Sequence, residues 1–271
     1  MRSVSHGPLG HVSDGRHRER GIKGLDGYQT EFVVDKEQYI IQVPAALESV
    51  GVLMEPLSIV EKAIDQVLCV QIARDPEAAT TPDWLFGRRC LVAGWGPVGL
   101  LAAMVLQLRG GEVYELDVVD AASARPAWMT GIGGRYVDGR RVPADQVEKK
   151  IGVMDLILDA TGIPALEFNV PDALAPNGAC VLTGIPGGDR SLEISGAELV
   201  RQLVLDNQIM LGSVNVSRGH FQMGASDLEQ AHLRWGAHFD QLITERYPPD
   251  QFAGSVDHHE ADSIKQMVEW T

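Results

Sequence analysis

One stretch constrains this chain more than any other: LVAGWGPVGLLAAMVLQLRGGEVYELD, residues 91 to 117. The apolar run Leu91-Val92-Ala93 leads into the spacing Gly94-x-Gly96-x-x-Gly99, then a strongly apolar helical stretch, then a second β-rich run ending at Asp117. Each part has a physical job in a dinucleotide-binding turn. Gly94 permits a tight strand-to-helix turn, Gly96 lets the backbone approach a pyrophosphate, and Gly99 lets the helix pack closely on the strand. The helix N-terminus presents free N–H groups and a partial positive charge to phosphates. Asp117 follows Gly99 by 18 residues, close to the ~20 expected of a carboxylate that accepts from the ribose hydroxyls. The competing reading is a Gly-rich turn in another α/β fold, including a methyltransferase that uses a similar acid for its own ribose.

Strands and helices alternate around this stretch. Strands are expected at 89–94, 112–117, 135–140, 154–162, 179–185 and 208–215, with helices at 98–109, 124–134, 165–175 and 197–207. Continuous apolar strands separated by helical patterns mean a parallel sheet covered on both faces. The fold class is therefore α/β, a doubly wound six-stranded parallel sheet over residues 88–215. Ligands of such a sheet sit beyond the carboxyl ends of its strands. Those ends read Ala160-Thr161-Gly162, Thr183-Gly184-Ile185 and Ser213-Val214-Asn215. They are small, polar and backbone-rich, as a site that hydrogen-bonds a nicotinamide should be.

Outside that region the reading is coarser. Residues 1–24 read as a flexible segment, and His6, His11 and His17 as surface histidines whose spacing makes no i, i+4 pair. GYQTEFVV (27–34) and QYIIQVP (38–44) read as short strands. Ile59, Val60, Ala63, Ile64, Val67 and Leu68 recur with helical period, and Pro56 suits a first helical turn. A Pro- and Thr-containing linker at 75–87 marks the expected domain boundary, so 25–87 forms a partial β-rich domain with a linking helix. Residues 216–271 are too few for a domain and should pack on something earlier. A helix is expected there, then a strand at Leu242 to Thr244, then KQMVEW as strand or helix. The adjacent His258 and His259 read as surface residues.

Composition excludes some partners. A net charge of −14 in 271 residues argues against nucleic acid or an anionic membrane surface. No apolar run reaches the ~18 residues of a membrane span, and the N-terminus has no secretory apolar region. Cys69, Cys90 and Cys180 are sparse and in apolar surroundings. They read as core residues of a protein in a reducing compartment, hence cytoplasmic.

Several separated motifs carry a resemblance. ERGIKGLDGYQTEF, VGVLMEPLSIVEKAID, CLVAGWGPVGLLAA, DATG, VLTGIPGG and GSVNVSRGHF, in that order, closely resemble the glucose 1-dehydrogenases of the zinc-containing medium-chain dehydrogenase/reductase family. The resemblance runs from about Glu19 to the C-terminus. It implies that the β-rich region is part of a GroES-like catalytic domain to which the C-terminal segment returns. It implies a pyrophosphate loop of Gly94, Gly96, Pro97, Val98 and Gly99, with Asp117 as the ribose-binding acid. Thr161, Thr183 and Ile185 would frame the nicotinamide, with Ser213 beside them, and Asn215 would contact cofactor and sugar. Glu19 matches an acceptor of a substrate hydroxyl. Glu55 matches a residue at the catalytic zinc or the sugar. Phosphorylated-cofactor relatives carry arginines just after the ribose acid, where this chain has Val118 and Val119. NAD is therefore the expected cofactor in preference to NADP. The implied chemistry is hydride transfer from C1 of an aldose, D-glucose, assisted by zinc.

The family pattern also includes an N-terminal lobe that supplies zinc ligands, and of the usual catalytic zinc set only Glu55 is found here. Two outcomes are therefore weighed: a glucose 1-dehydrogenase, or a non-catalytic NAD-binding remnant with an incomplete zinc site. A methyltransferase is a third. The apolar strand at 208–215 would lie at a sheet edge, so a homodimer or homotetramer through that edge is expected.

Overall fold

The computed structural model describes residues 18–75, 84–189, 191–257 and 262–270. His6, His11, His17, His258 and His259, and most of the linker at 75–87, lie outside the described residues. Ahead of the main sheet stand β1 (Glu19–Arg20) and β2 (Gly24–Leu25), paired in parallel, and then three single 3-10 turns. Among the described residues, no strand forms at 27–34 or 38–44, where two were expected. Residues 27–40 are exposed, with Phe32, Val34 and Ile40 facing solvent. A strand needs a neighbour for its backbone N–H and C=O groups, and no described strand runs beside this segment.

The long helix α1 (Met54–Arg74) opens the packed part of the chain. Its core-facing residues Leu57, Val60, Ala63, Ile64 and Val67 are fully buried. Cys69 falls on the opposite side and is exposed, which corrects its reading as a core residue. Cys90 and Cys180 are buried as expected.

The sheet follows. Its strands are β3 (Arg89–Ala93), β4 (Glu112–Asp117), β5 (Arg135–Asp138), β6 (Met154–Asp159), β7 (Leu174–Leu182) and β8 (Ile209–Gly212). All pair in parallel, in the order β5-β4-β3-β6-β7-β8, the doubly wound order with its reversal between β3 and β6. Side chains alternate between two cores with period two. Cys90, Val92, Leu156, Leu158, Ala179 and Val181 face one core; Leu91, Ile157 and Cys180 face the other. The expected strands at 154–162 and 179–185 end earlier than the sequence suggests. Their last residues turn away as the loops of the site.

Crossover connections carry α2 (Pro97–Leu108), α3 (Ala124–Gly131), α4 (Val147–Ile151), α5 (Pro164–Asn169) and α6 (Gly196–Leu205). Helix α2 buries Leu100 through Leu106 without interruption. A helix apolar all round must be covered on its outer side too. That cover comes from α1 and from α7 (Arg218–Trp235), which buries Leu228 and Ala231 in the same core. Beyond α7, the chain forms the short helix α8 (Ala237–Asp240), β9 (Ile243–Tyr247), α9 (Phe252–Asp257) and β10 (Lys265–Val268). The last strand pairs in parallel with β9. This tail packs on earlier elements, with Trp128 Nε1 donating to His238 O at 3.0 Å and Arg246 Nη2 to Ser49 O at 2.7 Å.

The three helices on one face share a buried charge cluster. Arg109, at the end of α2, donates to Glu61 of α1 at 2.9 Å and to Asp227 of α7 at 3.3 Å. Burial first, and then the neighbouring Asp227, push the Glu61 carboxyl up to about 8 from its ordinary 4.5. In the window from 4.5 to about 8 the unfolded chain releases a proton that the folded chain keeps. The stability Glu61 contributes is full below that window and is lost as pH rises through it. The variant Glu61→Gln is therefore expected to lose less melting temperature than the parent between pH about 5 and about 8. Scanning calorimetry at the two pH values measures this, and equal losses would rule out the assignment.

Candidate functional site

The loops beyond β3, β4, β6, β7 and β8 meet in one crevice at the carboxyl ends of the strands. Its floor is made of glycines with different reasons for being glycine. Gly94 has φ +97, and a Cβ on it would stand 2.8 Å from Thr161 Cγ2. A Cβ on Gly99 would overlap the carbonyl oxygen of Gly94, so Gly99 is what lets α2 rest on the end of β3. Gly96 is different. It caps α2 with φ −68, a value open to any residue, and a Cβ on it would meet nothing within 4 Å. The protein's own packing does not require this glycine, and the bare backbone there faces open space at the head of a twelve-residue helix. The first turn of a helix leaves its amides without intrahelical acceptors. Pro97 occupies the first helical position, which needs no N–H, and Val98 follows it, half-buried.

Asp117 ends β4 beside this turn. Its Oδ2 accepts from Trp95 N at 2.7 Å, and its Oδ1 from Val118 N at 2.6 Å and Val119 N at 3.2 Å. A carboxylate has about four acceptor positions. Three are taken, which fixes the group and leaves Oδ2 open to one further donor. Trp95 is buried and lies against Tyr136, with ring centroids 4.7 Å apart. The Tyr136 hydroxyl donates to Val119 O at 2.6 Å. The pair supports the acid from below.

The loops after β6 and β7 touch backbone to backbone. A Cβ on Gly184 would overlap Gly162 N, and one on Gly162, whose φ is +64, would stand 2.8 Å from Ile185 O. Their threonines are turned to structural use. Thr161 Oγ1 donates to Asp159 Oδ1 at 2.9 Å and accepts from Ile163 N at 3.1 Å. Thr183 Oγ1 donates to Asp159 O at 2.9 Å. Asp159 itself is fully buried. Burial raises its carboxyl pKa against the lowering effect of the Thr161 backbone and hydroxyl donors. In these loops Ile185, 79% exposed, and Ile163 carry apolar surface open to solvent. At the β8 end Ser213 N donates to Leu182 O at 2.9 Å, and Ser213 Oγ is buried with no partner. Asn215 takes φ +59, a conformation asparagine tolerates. The preceding carbonyl, Val214 O, accepts from Lys62 Nζ at 2.5 Å, tying the loop to α1.

The fold thus brings together Gly94, Gly96, Pro97, Val98, Gly99, Asp117, Thr161, Thr183, Ile185, Ser213 and Asn215. Glu55 lies in the first turn of α1 with its side chain exposed, two helical turns before Lys62. Glu19 lies in β1, ahead of α1. Trp95, Asp159 and Lys62 were not singled out in the sequence. Two of them carried a signal: Asp159 is an acid closing an apolar run, and Trp95 sits between two glycines of the motif. Zinc is the metal the resemblance implies. Among the described residues no group of three or more His, Cys, Asp or Glu could hold a metal ion, whereas catalytic zinc takes about three protein ligands. Among the described residues, too, no helix is long and apolar enough to cross a membrane.

Known proteins match this arrangement. The family model for the glucose dehydrogenase C-terminus matches residues 48–270. A glucose 1-dehydrogenase of Caldivirga maquilingensis is 36% identical over 270 residues, covering 98% of this chain and 70% of the relative. That of Methanocella arvoryzae is 33% identical over 228 residues, covering 84% of this chain and 61% of the relative. A solved structure of Haloferax mediterranei glucose dehydrogenase, in complex with NADP, Zn and gluconolactone, superposes with a TM-score of 0.85 at 29% identity. It covers 97% of this chain and 70% of that one, so the chain spans roughly two thirds of the proteins it matches.

The glycines separate in their expected cost. Gly184→Ala must part the two loops and is expected to destabilise by about 1–3 kcal/mol. Gly96→Ala loses little beyond a helix-cap preference and is expected to cost under about 1 kcal/mol. Urea unfolding of the two variants measures the difference, and equal costs would contradict the assignment.

Proposed function

The chain belongs to the glucose dehydrogenase family, and we propose that its crevice binds a nicotinamide dinucleotide for the oxidation of an aldose, D-glucose, at C1. One observation carries the cofactor reading: Gly96 is a glycine that the protein's own packing leaves unused, at the head of α2. A pyrophosphate laid against that bare backbone would meet the unpaired amides and positive end of the helix. In this reading Gly94, Gly96, Pro97, Val98 and Gly99 hold the pyrophosphate, and Asp117 accepts from the ribose through its open Oδ2 position. Thr161, Thr183 and Ile185 frame the nicotinamide, the threonines by holding two loops in contact and Ile185 by apolar surface. Ser213 Oγ, buried without a partner, offers a hydrogen bond, and Asn215 faces both cofactor and sugar.

The cofactor, when bound, supplies the hydride acceptor. The C1–H bond breaks with both electrons going to the nicotinamide, the C1 hydroxyl gives up its proton, and the sugar becomes a lactone. Asn215, Glu19 and Glu55 are assigned to the sugar side. No step is derived through zinc, because the described residues supply no ligand cluster. The same observation favours a second reading, in which this chain binds NAD without turnover. Absorbance at 340 nm with glucose, NAD and added zinc separates the two: growth that a chelator abolishes removes the second reading.

NAD is proposed over NADP. Asp117 ends β4 and is followed by Val118 and Val119, so a 2′-phosphate would meet a carboxylate directly. Gly96→Ala is expected to weaken NAD binding at least about tenfold, a loss of about 1.4 kcal/mol, while leaving the fold intact. Isothermal calorimetry measures it, and an unchanged NAD affinity would overturn the placement.

A homodimer or homotetramer through the edge at 208–215 is also proposed. Strand β8 is the sheet edge, and the neighbouring α6 buries none of its residues, with Val204 and Leu205 71% and 75% exposed. An apolar helix face beside an open strand edge invites a second copy. Light scattering at micromolar concentration should give at least a dimer; a monomer counts against this surface.

A further inference from the structure

The sequence immediately after Asp117 has no arginine, but the sheet delivers one from the next strand. Asp117 and Asp138 are register partners on β4 and β5. The two loops that follow them are therefore neighbours, and Gly139 N donates to Asp117 O at 2.7 Å. In the second loop Arg140 folds back on Asp138. Its Nε and Nη2 donate to the two carboxylate oxygens, each at 2.8 Å. Its backbone N donates to the same group at 3.0 Å. Its Nη1 lies 3.7 Å from Asp120 Oδ2. Arg141 Nε also approaches Asp138, at 3.6 Å. The Arg140 guanidinium thus bridges from the end of β5 to Asp120 in the loop after β4, alongside Val118 and Val119.

We propose that Asp138 is a specificity-determining residue for the cofactor, because it engages Arg140, a guanidinium placed to receive a 2′-phosphate, in a two-pronged pair. The proposal rests on the cofactor reading above and deepens it. A planar guanidinium matches carboxylate and phosphate alike, and the two compete for the same donor edge. With Asp138 and Asp120 both on Arg140, the rim meets a 2′-phosphate with the Asp117 carboxylate and with Arg140 already engaged. A cofactor with a free 2′-hydroxyl needs none. The paired arginines, first Arg140 by its hydrogen bonds, hold the Asp138 carboxyl down at about 2, so the pair stays ionised at any ordinary pH. Asp138 acts through Arg140 and touches no reacting atom, so it is a positioning residue.

The test is direct binding of NAD and of NADP by isothermal calorimetry, with no turnover required. Asp138→Asn keeps the acceptor for the Arg140 backbone N–H and removes the charge. It is expected to tighten NADP binding roughly three- to tenfold, the range one partly exposed charge pair supplies. NAD binding should stay within about twofold. Adding Arg140→Ala should abolish the gain. Asp120→Asn, at an exposed position outside the two-pronged pair, should give a smaller gain in the same direction, and it serves as the readout if Asp138→Asn fails to fold. An unchanged NADP affinity in Asp138→Asn overturns the proposal, and so does a gain that survives without Arg140. A loss of NADP affinity in Arg140→Ala alone also overturns it, since Arg140 would then already be an anchor. Failure of the parent chain to bind either dinucleotide would strike the cofactor reading itself, a distinct result.

Discussion

The contact between Gly99 and the carbonyl of Gly94 decides where much of the rest goes. A Cβ at position 99 would overlap that oxygen, so α2 can rest on the end of β3 only because position 99 has no side chain. That approach aims the head of α2 over the crevice. It also buries a helix that is apolar on every side, which in turn requires a cover. Helices α1 and α7 supply it. The Glu61–Arg109–Asp227 cluster then joins all three. A local steric allowance at one glycine is thereby coupled to elements more than a hundred residues away.

The site is built by backbone contacts more than by projecting side chains. Its acid, Asp117, is held by three amides. The loops beyond β6 and β7 meet at Gly162 and Gly184, and the nearby threonines spend their hydroxyl protons on Asp159. Such an arrangement suits a large, flat, polar ligand recognised along its length. It leaves Ile185 and Ile163 as exposed apolar surface in those loops.

Legibility in the sequence followed the range of the interaction. The six strands and the glycine loop were readable because periodicity and turn chemistry are local. The two strands expected at 27–34 and 38–44 failed for the opposite reason. Their alternation is real, with Phe32 and Val34 still exposed, but a strand exists only beside a partner. Cys69 was misplaced because apolar neighbours in sequence say nothing of which way a helix is turned. The arginine at position 140 was missed because only the pairing of β4 with β5 sets its loop beside the one that follows Asp117.

By itself, the sequence determined the doubly wound class, the glycine turn, the acid that ends β4 and the family, since each rests on spacing within about thirty residues or on motifs in order. The tertiary structure alone decided which glycine is free of packing duty, what holds Asp117 in place, and which loop runs beside it. Those depend on distances between segments far apart in the chain, set by strand order and helix cover, and no local pattern carries them.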